Sequence, residues 1–145
     1  MATQPNWTGT YADIPLGAEE SFTRTVDYAA IDGFAQAIQS FHPLHMDTEW
    51  ARANSSYPDR VAHGVMTSAL MSRPIMSFGE HYKVKTVLVS TSAKYIRPVI
   101  AGDSITTTLK LVEKIDARKR MRFAAESKNQ RGEVVMVGEA VEQAV

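Results

Sequence analysis

Two histidines and, about twenty residues later, a His-Gly pair are the chemically suggestive residues of this chain. His42 and His45 flank Pro43-Leu44 in the run Ser40-Phe41-His42-Pro43-Leu44-His45, and further on His63-Gly64 opens the apolar stretch that begins at Val65. An imidazole with an ordinary pKa of about 6.5 takes or gives a proton near neutrality. A positioned acid/base group of this kind is worth about 10² to 10⁴-fold in rate. Gly64 precedes a helix-compatible run, so it leads into backbone N–H groups with no partner in their own helix, at the positive end of the dipole. Such a terminus holds a developing oxyanion. Each signal alone has a plainer reading. His-Pro-x-His makes a capped turn, and His-Gly makes a tight entry turn in which glycine relieves strain. Together they describe proton transfer beside a carbonyl whose oxygen gathers charge.

Elements must deliver these groups. In residues 25–38 the bulky apolar residues Ile31, Phe34 and Ile38 recur at helical spacing, and Asp27 is placed to cap the first free N–H groups. Pro43 fixes its own φ and pushes His42 out of the helical region, so this helix ends near Ser40 and the two imidazoles leave on a rigid turn. A second helix is predicted over residues 65–76, with Pro74 kinking or ending it. Beyond Met76 the pattern turns to strands. They are expected over residues 84–90 and on to Ile96, then 104–112, 121–127 and 134–141, separated by turn-like stretches such as Ala101-Gly102-Asp103 and Asn129-Gln130-Arg131-Gly132. Residues 1–20, with Pro5, Gly9, Pro15 and Gly17, read as a wrapping arm.

The ordered set of motifs resembles the MaoC-like (R)-specific enoyl-CoA hydratases and 3-hydroxyacyl thioester dehydratases. Residues 11–17 are similar to the family's leading segment, 21–26 to the strand before its long helix, and 47–53 to its short overhanging helix. Pro58-Asp59-Arg60-Val61-Ala62-His63-Gly64 resembles its entry into the central helix, and Tyr95-Ile96-Arg97-Pro98-Val99 with Gly102-Asp103 its strand, turn, strand signature. The resemblance spans nearly all of the chain. It implies an α+β hot dog fold, with an antiparallel sheet wrapped around a central helix and an overhanging helical segment, in one domain over residues 1–145.

The same resemblance implies a site, with a departure. The family reads Gly-Asp-x-Asn-Pro-x-His where this chain has Gln39-Ser40-Phe41-His42-Pro43-Leu44-His45. His45 carries over as acid/base residue, and Gly64 as the N–H that polarises the thioester carbonyl. Ser40 stands in place of the catalytic aspartate and His42 in place of the asparagine. Serine cannot accept a proton unaided near neutral pH. Three readings stay open: His45 works alone, His42 is its partner, or the water-addition chemistry is replaced. Two imidazoles close together split their apparent pKa values, which makes one base and one acid. His63 is read as holding the entry turn beside Gly64.

The implied ligand is an acyl thioester of coenzyme A or of a carrier protein, its pantetheine being part of the substrate and no separate cofactor being needed. Met66, Leu70 and Met71 either line the acyl tunnel or are core. Arg73, Lys83, Lys85, Lys94 and Arg97 are candidates for phosphate contacts, Asp47 and Glu49 are read as solvated or capping residues, and His81 as exposed in a polar connection. A metal site built from His42, His45 and Asp47 matches no standard ligand spacing, so none is assigned.

Composition narrows the classes. The 145 residues carry 16 basic and 16 acidic side chains, a formal net charge of zero that argues against non-specific nucleic-acid binding. The absence of cysteine excludes disulfides, thiolate nucleophiles and thiolate metal sites together. No apolar run approaches the roughly 18 residues that span a bilayer. A cytoplasmic protein is expected. The resemblance implies a homodimer or a dimer of dimers, or a heterodimer with an active homologue. Hydration or dehydration of an acyl thioester is the leading expectation. Thioester hydrolysis, isomerisation, another elimination and a non-catalytic acyl-binding subunit are the alternatives.

Overall fold

The computed structural model describes residues 6–145. Pro5, part of the expected arm, lies outside them. Strand β1 (Glu19–Thr25) leads into helix α1 (Tyr28–Ile38). Asp27 caps α1 by accepting from Ala30 N at 2.8 Å. The buried stripe of α1 is Ile31 and Ala35, whereas Ile38 is exposed, because the helix ends over the surface. Gln39 closes α1 in the left-handed conformation, φ 58°. Two short helices follow, α2 (Pro43–Met46) and α3 (Thr48–Asn54). Pro43 stands in the first turn of α2, where a missing N–H costs nothing, and Asp47 caps α3.

The helix expected over residues 65–76 is two helices, α4 (Gly64–Ala69) and α5 (Ser72–Tyr82). Pro74 explains the break. Its ring has no N–H for the Leu70 carbonyl and would clash with it in a continuous helix. The chain therefore tightens through Met71 N to Ser68 O and Arg73 N to Leu70 O, at 3.1 and 3.4 Å, and Pro74 falls in the first turn of α5. His81 belongs to the last turn of α5 rather than to a connection. It is exposed as expected, and its Nδ1 lies 2.9 Å from Glu20 on β1.

Four longer strands complete the chain: β2 (Thr86–Tyr95), β3 (Ser104–Ile115), β4 (Arg120–Lys128) and β5 (Val134–Ala144). They form one antiparallel sheet in the order β1-β3-β4-β5-β2. The two-residue period holds where it matters. Ile105, Thr107, Leu109 and Leu111 of β3 are buried, and Phe123 of β4 meets Phe78 of α5 with ring centroids 4.8 Å apart. On the outer face, Ser21, Thr23 and Thr25 pair hydroxyl to hydroxyl with Thr108, Thr106 and Ser104, at 2.7, 2.7 and 2.9 Å. The sheet thus curls around α5. Trp7 packs against Gly79 of that helix, where an added Cβ would stand 3.2 Å from the indole and 3.1 Å from Val84 O. This is the hot dog architecture. Among the described residues no helix is long and apolar enough to cross a membrane.

Candidate active site

His45 and His63 come together although the chain separates them. The left-handed residue Gln39 turns the backbone out of α1, so that the Ser40 carbonyl accepts from His63 Nε2 at 2.9 Å. A carbonyl can only accept, so Nε2 carries the His63 proton. Nδ1 of His63 is buried without a hydrogen-bond partner among the described residues. His45, in the single turn of α2, places its Nδ1 2.6 Å from Val61 O. By the same reasoning Nδ1 carries the proton and the Nε2 lone pair is free. The two rings stack with centroids 3.9 Å apart, and Phe34 flanks His63 at 5.4 Å.

Burial, together with the nearby charges of His63, His42 and Arg60, holds His45 below its ordinary pKa, the Val61 hydrogen bond opposing in part. At neutral pH its free nitrogen is therefore an unprotonated base.

A second set of contacts fixes the backbone of this imidazole. Arg60 is buried, and its Nε donates to His45 O at 2.5 Å while Nη2 pairs with Asp32 of α1. The guanidinium lies 4.9 Å over the Tyr28 ring. Asp59 accepts from Tyr28 Oη, Arg60 N and Thr48 Oγ1 at 2.6, 2.7 and 2.8 Å. Burial pushes the Asp59 carboxyl up, but these donors and Arg52 hold it below its ordinary value. Residues 60–62 are threaded between α2 and the loop after β2. Val61 N bonds Leu44 O at 3.1 Å, and Ala62 N bonds Val99 O at 2.8 Å. This delivers His63 and then Gly64.

Gly64 begins α4, and neither its N–H nor that of Val65 has an acceptor among the described residues. Tyr95 of β2 covers Gly64, its ring 3.7 Å from where a Cβ would stand, and its hydroxyl donates to Ser68 Oγ at 2.9 Å.

His42 is placed differently. Its Nδ1 accepts from Leu44 N at 3.1 Å as the cap of α2, and its ring sits edge-on to Trp50 at 5.5 Å. The His42 and His45 ring centroids are 6.1 Å apart. Ser40 meets the site through its carbonyl, and its Oγ makes no hydrogen bond among the described residues. Asp47 Oδ1 accepts from Trp50 N at 2.9 Å, and Glu49 is exposed. Met66 is core and Met71 is buried at the edge of a cleft. Of the phosphate candidates, Arg73 pairs with Glu80 and Arg97 with Glu133, at 3.4 and 3.5 Å.

Sequence reasoning did not assign Arg60 or Tyr95 to this neighbourhood, and it did not single out Glu142 of β5, which lines a cleft beside α4 and α5. A charged pair beside an apolar entry turn marks Arg60. A carboxylate at an inward position of an alternating strand marks Glu142.

The fold is that of a hot dog domain, with the stacked His45 and His63 imidazoles set beside the start of α4. The chain belongs to the MaoC-like domain family, whose model matches residues 13–132. It is 27% identical over 132 residues to a 3-hydroxybutyryl-CoA dehydratase of Methylorubrum extorquens, covering 90% of this chain and 81% of that one. It is equally 27% identical over 134 residues to an (R)-specific enoyl-CoA hydratase of Rhodospirillum rubrum, covering 90% and 88%. The unliganded R-hydratase PhaJ1 from Pseudomonas aeruginosa superposes with a TM-score of 0.82 at 29% identity, over 93% of this chain and 84% of that one.

Proposed function

We propose that this chain is a single-domain acyl-thioester hydratase/dehydratase, a lyase acting on coenzyme A or carrier-protein thioesters without a separate cofactor. The observation that carries the reading is the His45 ring, anchored through Nδ1 on Val61 O with a free Nε2. In hydration, Nε2 takes a proton from water as the water oxygen bonds to the β-carbon of the enoyl thioester. The displaced electron pair moves to the thioester oxygen, where the Gly64 N–H donates to it. The imidazolium then returns a proton to the α-carbon, and the product is the 3-hydroxyacyl thioester. Dehydration is the reverse.

Ser40 leaves no carboxylate to share this work, so one imidazole serves both proton transfers. His63 supports His45 from below. His42, committed to the cap of α2, supports the turn.

The exposed residues Val87, Leu88 and Val89 lie on β2, one of the two edges of the sheet. An apolar edge of this kind favours pairing with a second copy. We therefore propose a homodimer or dimer of dimers, which light scattering in solution tests.

Ser40 also favours a second reading, in which the pocket performs another reaction on the thioester, or binds it as the inactive partner of an active homologue. A paired assay separates the two. Purified protein is given crotonyl-CoA and a longer trans-2-enoyl-CoA, and loss of the enoyl absorbance is followed beside release of free thiol, with His45→Ala as control. Enoyl loss that needs His45 supports hydration. Thiol release, or no turnover of either kind, moves the assignment to the second reading.

A further inference from the structure

Glu142 is 3% exposed, yet no cation pairs with it among the described residues. It stands on the inward face of β5, opposite Leu88 of β2 and Met121 of β4. Its side chain borders a cavity of about 270 Å³ that begins at Val65 and Ser68, beside Gly64, and runs past Ile75 and Leu88. It also borders an adjoining cavity of about 440 Å³ with Trp7, Met76 and Lys85. A carboxyl at the back of an apolar cleft is costly unless its lone pairs are satisfied. The Thr86 hydroxyl on β2 is the side chain that favours its ionised form. Burial pushes the carboxyl up, the Thr86 hydrogen bond opposing.

We infer that Glu142 is a specificity residue that recognises a hydroxyl at the far end of the acyl group, so that the preferred substrate is an ω-hydroxyacyl thioester rather than one with a plain alkyl tail. The inference rests on the acyl-thioester reading of the site. A hydroxyl both donates and accepts, so it satisfies either protonation state of the carboxyl. An alkyl terminus would strip water from the carboxyl and return nothing. Along α4 alone, from Gly64 to Ala69, a rise of about 1.5 Å per residue gives roughly 8 Å, and the cleft continues past the break to Ser72 and Ile75, within reach of a medium-length chain.

The test is calorimetric binding of saturated thioesters, which needs no hydration chemistry. Octanoyl-CoA and decanoyl-CoA are each compared with their ω-hydroxy forms, on wild type and on Glu142→Met. Wild type is expected to bind a hydroxylated form at least about tenfold more tightly, and Glu142→Met to abolish or invert that preference. Equal binding by wild type, or a preference that survives the substitution, overturns the inference. The wild-type comparison stands even if the variant does not fold. If no thioester binds, the inference falls, and turnover of crotonyl-CoA then shows whether the hydratase reading survives it.

Discussion

The imidazole of His45 lies face to face with that of His63, centroids 3.9 Å apart and planes 27° from parallel. Any positive charge on one ring opposes charge on the other. This repulsion adds to burial in holding His45 below its ordinary value.

Activity that needs neutral Nε2 is therefore expected to be full above about pH 6.5 and to fall only at lower pH. His63→Gln keeps a donor for Ser40 O while removing the ring charge. The acid limb of the kcat/KM profile should move up towards 6.5. Stability follows the same sign. Because the unfolded chain binds the His45 proton at higher pH than the folded one, stability should rise with pH through this window and be lost as pH falls below about 6.5. An acid limb that does not move would show that His63 takes no part in setting the His45 pKa.

His42→Asn keeps a capping side chain at the start of α2. Hydration should persist, since the His42 ring faces Trp50 and its Nδ1 is already occupied. A loss of about 10²-fold or more would instead make His42 a proton-transfer partner. Ser40→Asp places a carboxylate next to the carbonyl that holds His63, and should raise the rate by adding a second proton acceptor.

Gly64→Pro removes one atom of the mechanism. Proline is well tolerated at the first position of a helix, and His63, at φ −56° and ψ 134°, already has the extended backbone that precedes a proline without strain. The melting temperature should hold while kcat falls by about 10² to 10³-fold, the usual cost of a lost oxyanion donor. Gly64→Ala, which retains the N–H and meets Tyr95 at an ordinary 3.7 Å, is the control for folding. Equal rates in the proline variant would remove Gly64 from the reaction.

Arg60→Ala should cost about 2 kcal/mol in chemical denaturation, because the buried guanidinium holds His45 O, Asp32 and the Tyr28 face together. At temperatures where the variant is folded, kcat should fall more than KM rises, as the His45 backbone loses its anchor. Arg60→Lys keeps the charge but not the fork, so it should recover only part of either loss.

Local rules carried much of the sequence reading. The proline at 43 ends one helix and sets the φ and ψ of His42, the aspartate at 27 caps α1, and strand alternation places Ile105, Leu109 and Phe123 inside, because each effect acts within a few residues. The break at Leu70–Met71 was only half legible. Pro74 signals it, but the restart as α5 sets Phe78 against Phe123 across the sheet, a contact that no local rule shows.

The motif order was enough to indicate the hot dog fold, and His45, His63 and Gly64 stood out by residue type and spacing. What only the tertiary structure decided is which nitrogens are free. Ser40 O, Val61 O and the stacked rings belong to different segments, and they meet because Arg60 and the loop after β2 thread residues 60–62 beneath α2. The same holds for Glu142, whose inward register is a local matter but whose cleft is made by α4, α5 and β2 together. Contacts between segments distant in the chain leave no periodic trace in it, and a proton's position is set by such contacts alone.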